Sequence, residues 1–238
     1  DLAHADEVTM AADVMALYGN EGARFGQALA PQLVYPGPAP GTTVLIPYSA
    51  VQGGIIARHD RETGNPNEPA AGLSGESLLA RGLAREFTDD VREELNELGV
   101  TLAVTRGTPA RVRTYGSRTC AGPDAPLWTW FGGSRVVTAI SHEADDTAEQ
   151  FVHRQIDPQR RLFLGLETAL TEVCDRYFQL GALYGETAAE AYEVDTGPGV
   201  NTDETILAGE IHAILRVATS PPGEWVLIEI HKTTSLAA

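Results

Sequence analysis

The densest set of metal-type donors lies in Ser141–His153, SHEADDTAEQFVH, where His142, Glu143, Asp145, Asp146 and His153 offer nitrogen and oxygen ligands. That makes a metal-binding or hydrolytic centre at His142–His153 one reading of the chain. The other reading is electrostatic: acids this dense just inside a helix start suit the helix dipole and stay solvated. Other catalytic patterns fall short. GLSGES fails the Gly-x-Ser-x-Gly spacing of a nucleophile elbow, because the residue after Ser74 is Gly75. Lys232 has no glycine-rich loop before it, so there is no Walker motif. TGPGVN lacks a strand-to-helix context and reads as a turn. His59-Asp60 and His212 are isolated, and a histidine among apolar strand residues, such as His212, reads as a paired structural residue.

The remaining chemical feature is RVRTYGSRT, residues 111–119, with three arginines and no acid in a chain of formal net charge −16. A phosphate-binding strand, an anion clamp and a protein-protein surface all fit that composition. As a strand it places Arg111, Arg113 and Tyr115 on one face and Val112 on the other. A basic face on an acidic chain has a natural partner in the acidic surface of another copy.

The elements that would hold these residues can be read from periodicity. Leu2 to Tyr18 is helical in pattern, stopped by Gly19-Asn20 and Gly22. PQLVYPGPAPG is a short strand followed by a proline-rich turn, and TTVLIP is a strand or a lead-in. Pro47 opens a helix to Asp60, and residues 61–76 form a loop. Thr88 caps a helix to Leu98, ended by Gly99. VTLAVTR and ARVRTY read as paired strands joined at Gly107–Pro109. LWTWF and SRVVTAI are expected to continue that sheet. The strongest helix runs from Arg160, with Leu162, Leu166, Ala169, Leu170, Val173, Tyr177 and Leu180 on one stripe, and Gly181 and Gly185 close it. TILAGEIHAILRVA and EWVLIEIHKTT read as two long strands.

Composition narrows the function classes. With 33 acids against 17 bases, the chain should repel nucleic acid and anionic membranes. All basic residues but Lys232 are arginine, which suits ion pairs between protein surfaces and also fits a GC-rich coding sequence. No apolar run reaches the ~18 residues needed to span a membrane, and no secretory signal pattern is visible. Cys120 and Cys174 lack metal-ligand spacing and are expected as free thiols. The chain begins at Asp1, consistent with a processed or partial piece of something longer.

Four fragments in order carry a resemblance. The first is Pro47-Tyr48-Ser49 followed by Val51 to Asp60, then Gly64 and Pro69-Ala70. The second is Gly99-Val100-Thr101 leading to Arg111–Thr119. The third is Gly181-Ala182-Leu183-Tyr184-Gly185, followed by Ala191-Tyr192-Glu193-Val194-Asp195. The fourth is Gly209-Glu210-Ile211 with Pro222-Gly223-Glu224-Trp225-Val226-Leu227-Ile228-Glu229-Ile230. Together they resemble the C-terminal region of contractile tail sheath proteins, found in myophage tails and phage-tail-like injection particles. The family's FEPN-like stretch is replaced here by FVHRQIDP, residues 151–158. Its paired arginines before the long helix have no counterpart unless Arg135 or Arg160-Arg161 serve.

The resemblance implies an α+β fold, a mixed β-sheet flanked by helices, with a terminal strand arm at 224–234 for inter-subunit strand exchange. It implies a sheath domain over residues 47–238 and a more variable preceding domain or linker over 1–46. It implies structural work without catalysis, cofactor or metal. Copies would form hexameric rings and a helical sheath around a tail tube protein, with baseplate and tail terminator proteins as further partners. Neither nucleic acid nor membrane insertion belongs to that scheme. The particle would be a virion tail or a phage-tail-like particle assembled in the cytoplasm. On this view Arg111, Arg113 and Arg118 meet acidic faces of neighbours or the tube. Trp225, Val226, Leu227, Ile228 and Ile230 of the arm enter a neighbouring sheet.

Overall fold

The computed structural model describes Leu2 and residues 6–223. Helix α1 (Glu7–Met15) starts later than the apolar pattern suggests, because the Asp6 carboxylate accepts the Thr9 amide at 2.8 Å and sets the N-terminus there. The chain then runs through a 3-10 turn (Glu21–Phe25) into β1 (Ala28–Ala30), β2 (Leu33–Pro36) and β3 (Thr43–Ile46). Helix α2 (Tyr48–Thr63) follows, ended by Gly64 at φ 70°. Next come β4 (Gly82–Leu83), α3 (Asp89–Glu97), β5 (Val100–Arg106) and β6 (Arg111–Tyr115).

These strands make two sheets. One has the order β1-β5-β6, with β1 parallel to β5 and β5 antiparallel to β6, so it is mixed. The other is antiparallel in the order β3-β2-β4. Strands from before residue 47 therefore share hydrogen-bonded sheets with strands after it. Strand β5 is buried on both faces: Val100 and Leu102 join a core with Met10, Val14 and Leu95, while Ala103 packs with Leu33, Tyr48 and Val112. That double burial explains why VTLAVTR is nearly continuous in apolar character.

SRVVTAI is not a strand. Residues Phe131–Glu149 form helix α4, with Gly132, Gly133, Val136 and Ile140 buried along one side. The Val-Val-Thr run favours extended structure locally, but helical spacing lets this side bury as a stripe, and tertiary packing overrides the propensity. The two glycines seat the helix start: a Cβ on Gly132 would stand 2.2 Å from the Asn67 carbonyl oxygen, and one on Gly133 2.8 Å from Thr219 Oγ1. LWTWF holds no strand either; Pro126–Trp128 is a 3-10 turn.

Helix α5 (Arg161–Gln179) buries Leu162, Phe163, Leu166, Leu170, Val173, Cys174 and Tyr177, while Leu180 caps it half-exposed. A short turn of helix, α6 (Ala188–Ala191), leads to β7 (Tyr192–Asp195). TILAGEIHAILRVA then divides. Thr202 caps helix α7 (Asp203–Ala208), Gly209 ends it at φ 78°, and strand β8 is confined to Ile214–Val217. Asn201 fixes the return, donating to the Thr196 and His212 carbonyls and accepting the His212 amide at 2.7 Å. Strands β7 and β8 form an antiparallel ribbon packed on α4 and α5, and this is the second core. EWVLIEIHKTT lies outside the described residues.

Candidate assembly surfaces

Strand β6 carries the arginine-rich motif. Val112 and Thr114 point into the core, while Arg111, Arg113 and Tyr115 point outward, as the alternation requires. The outward charges meet an acid of the same chain. Arg113 donates from Nε and Nη2 to Glu76 Oε2, both at 3.2 Å, and Arg111 Nε stands 3.8 Å from the other oxygen. Arg118 lies over the Trp130 ring at 5.4 Å and reaches the Glu97 carbonyl. The outer edge of β6 is also occupied. The Gly72 amide donates to Thr114, the Thr114 amide to Gly75, and the Ser77 amide to Val112. Gly75 permits this approach, since a Cβ there would lie 2.6 Å from Ala71 Cα and 2.9 Å from Thr114 Cβ.

Beside this face runs a groove of about 690 Å³ between α3 and residues 68–74. Its floor is Leu102, Val104 and Tyr115, and Trp130, Pro222 and Gly223 line it as well. Arg92 and Arg106 both pair with Asp89 at one side, and Arg106 stacks over Tyr115 at 5.8 Å.

The β7–β8 ribbon differs. Among the described residues β8 pairs only with β7. Ile211, Ala213, Leu215 and Val217 line a second groove of about 370 Å³, walled by Val137, Ile140, Ala144 and Ala148 of α4 and Leu166 and Leu170 of α5, with Ser141 and Asp145 of α4 as its polar members. A trough lined mainly by apolar side chains next to a strand edge without a described partner has the form that accepts an added strand: backbone groups give the pairing and the trough takes alternate side chains. Sequence reading missed the α4 side of this trough, although Val137, Ile140, Ala144 and Ala148 recur at helical spacing. Val137 and Ile140 fall in SRVVTAI, whose local propensity is extended, and Ala144 and Ala148 in the acid-rich stretch that follows, so the stripe is split between two segments.

The His142–His153 residues spread over α4 and the turn after it. His142, Asp145 and Asp146 are exposed. Glu143 pairs with Arg176 and accepts the Tyr177 hydroxyl at 2.7 Å. His153 sits beyond the helix at φ 62°. Among the described residues no group of three or more His, Cys, Asp or Glu is placed to hold a metal ion, and no helix is long and apolar enough to cross a membrane. Cys120 and Cys174 are buried free thiols. The His212 ring, half-exposed, stands 3.1 Å from Glu210.

Two partly buried contacts connect α2 and the loop after it to α4 and to the chain beyond β8. Arg135 on α4 pairs with Asp60 on α2. Asn67 donates to the Ala182 carbonyl at 3.1 Å and to the Ser220 carbonyl at 2.7 Å, holding the chain where it leaves β8.

Neither a family model nor a curated protein matches this sequence. Solved structures do. A chain of the anti-feeding prophage baseplate, from a six-fold symmetrised cryo-EM structure, aligns over 96% of this chain and 66% of its own, with 21% identity and a TM-score of 0.76. A chain of the PVC sheath complex, from an extracellular contractile injection system in the contracted state, aligns over 98% and 62%, with 19% identity and a TM-score of 0.78. A sheath tail protein from Listeria innocua matches more distantly, with 8% identity, a TM-score of 0.53, and coverage of 91% of this chain and 55% of its own. This chain thus spans 55–66% of the length of these three. At such identities the likeness is one of fold: the chain has the α+β fold of contractile sheath proteins.

Proposed function

We propose that this chain is a structural subunit of a contractile tail sheath or phage-tail-like injection particle. Copies polymerise as six-fold rings around a tail tube, and contraction of the stack drives the tube through a target envelope. The observation that carries the reading is the fold likeness over almost the whole chain to a contracted sheath. The open β8 edge beside its apolar trough supports it.

On this reading the arm at 224–234 of one copy adds to the β8 edge of the next, with Trp225, Val226, Leu227, Ile228 and Ile230 supplying side chains to the trough and its opposite face. Arg111, Arg113 and Arg118 contribute side-chain contacts to acidic surfaces of neighbours or the tube. Residues 47–238 form the sheath domain proper and 1–46 its variable lead-in, joined by the β1–β5 pairing. The tube, baseplate and terminator proteins are the further partners, and the subunit works by repacking contacts rather than by bond chemistry. Its place is a virion tail or a particle assembled in the cytoplasm.

Negative-stain microscopy of the concentrated protein tests the reading, with Ala144→Arg as the diagnostic variant. The arginine fills the trough from a half-buried surface position, so the monomer should keep its circular dichroism spectrum while tubes and rings vanish. Tubes of normal length in that variant would remove the β8 edge from the assembly scheme. No ring or tube from the unaltered chain, alone or with co-expressed tube protein, would remove the sheath reading itself.

A further inference from the structure

The turn between α4 and α5 is not absorbed by the strand-exchange scheme. Residues 150–161, QFVHRQIDPQRR, carry three arginines and one histidine against a single acid, on a chain of formal net charge −16. That acid, Asp157, is engaged: its oxygens accept the amides of Gln159, Arg161 and Leu162 at the start of α5. The turn is also held in an unusual shape. His153 at φ 62° and Arg160 at φ 58° are the non-glycine residues with positive φ among the described residues, a conformation that persists where the surroundings fix it. Arg160 is fixed by a hydrogen bond to the Thr196 carbonyl at 2.7 Å and by stacking over Phe163 at 4.6 Å. Arg154 stands over Phe151 at 5.1 Å. His153, Arg154 and Arg161 are exposed. Arg135, Arg176 and Arg216 on the flanking elements all pair with acids of their own chain, whereas the arginines of this turn form no ion pair among the described residues.

A fixed, outward basic turn on an acidic chain suits a carboxylate partner from outside. Helix α3 carries the matching pattern. Asp90, Glu94 and Glu97 recur at i, i+4 and i+7 on its exposed side, with Glu93 beside them. These four form no ion pair among the described residues: Arg92 and Arg106 are taken by Asp89, and Arg118 reaches the Glu97 carbonyl and lies over Trp130. Helix α4 offers acids too, at Asp145, Asp146 and Glu149, but it runs straight into the basic turn. Docking there would bring two basic turns together. We infer that the α4–α5 turn of one copy docks on the acidic side of α3 of the next, with Arg154 and Arg161 set against Glu94 and Glu97.

The two patches differ, so the contact is head to tail, and head-to-tail contacts generate rings or helical stacks rather than closed pairs. The inference deepens the sheath reading and rests on it for its consequence. Side chains alone make this contact, without strand exchange. Complementary charge acts at a distance and sets orientation, so it steers a subunit onto its neighbour before any strand is added.

The association threshold of the full chain at low salt tests the contact, taken as the concentration at which sedimentation velocity first shows species larger than the monomer. It should rise as salt is added, because exposed pairs are screened. Arg154→Glu with Arg161→Glu should raise it ~10-fold, and Glu94→Arg with Glu97→Arg should do the same. All four positions are exposed, so the circular dichroism spectrum should stay unaltered. The first pair of changes makes the chain more acidic and the second less so. An effect of net charge alone would therefore move the two thresholds in opposite directions, and that result would overturn the inference. All four changes together restore opposite charges across the contact and should bring the threshold back toward that of the unaltered chain. A quadruple variant that associates no better than either double would overturn the pairing, as would an unaltered chain that stays monomeric at low salt. Rescue without rings or tubes from any chain would remove the sheath reading and keep the contact. Tubes whose threshold neither double moves would keep the sheath reading and remove the contact.

Discussion

The outer edge of β6 is closed by residues 72–77 of its own chain, whereas β8 has no described partner beyond β7. Both strands belong to antiparallel ribbons, and both alternate. They differ in what they leave for another molecule. Strand β6 leaves side chains, and Glu76 already engages two of its arginines. Strand β8 leaves a row of backbone donors and acceptors above an apolar trough. An exposed ion pair contributes ~0–1 kcal/mol and weakens with salt. A strand addition makes several backbone hydrogen bonds at ~1 kcal/mol each and buries apolar area besides. A cluster of charge in the sequence therefore marks a surface without marking its strongest contact.

The trough under β8 depends on α5, so the largest expected effect is there. Leu170→Ala removes a nearly fully buried side chain that also lines the trough. It should cost ~2–5 kcal/mol, read as a drop in denaturant midpoint. An unchanged midpoint would mean that the ribbon stands without its helical support. On the other ribbon, Gly75→Ala should cost ~1–3 kcal/mol by forcing residues 70–75 away from Thr114. The amides of Thr114 and Ser77 should then exchange faster while those of β7 stay protected. Equal loss in both ribbons would show that they are one cooperative unit.

Alkaline pH should weaken the β7–β8 side through its own groups. Burial first, then the Asp175 carboxylate that its hydroxyl meets, pushes Tyr192 up to about 12. Burial, with Asp175 adding, pushes the Cys174 thiol up to about 11. Tyr177 is raised as well, by burial and then by its hydrogen bond to Glu143. In each case the folded state favours the protonated form. Stability is therefore complete below the ordinary values, near 9 for the thiol and 10 for the phenols, and falls as pH rises toward the folded values. Tyr192→Phe should reduce the loss between pH 10 and about 12, measured by urea titration at each pH. An identical slope in wild type and variant would mean that the hydroxyl is not held by the fold.

The smallest effect is expected at the arginines. Arg111→Glu should change monomer stability by ~0–1 kcal/mol, because the side chain is half-exposed and 3.8 Å from Glu76. Its effect should appear in assembly, as shorter tubes at low salt. Normal tubes there would confine Arg111 to its own chain.

Sequence by itself determined the elements whose signals are local. The α5 stripe, the stop at Gly99, the β5–β6 pair and the outward face of Arg111, Arg113 and Tyr115 all follow from period and turn chemistry. The order of the sheath-like fragments also pointed to the fold. Tertiary structure decided the rest. SRVVTAI became the start of α4 because Gly132 and Gly133 fit against Asn67 and Thr219, 65 and 86 positions away, a contact that no local propensity encodes. TILAGEIHAILRVA was cut short because Thr202 and Gly209 bound a helix and Asn201 bonds His212 across the loop. The partner of the basic strand was likewise invisible, since Glu76 lies 37 residues from Arg113 and meets it across the closed edge of β6. Periodicity reports which face a residue takes; which surface that face meets is set by long-range packing, and only the folded chain displays it.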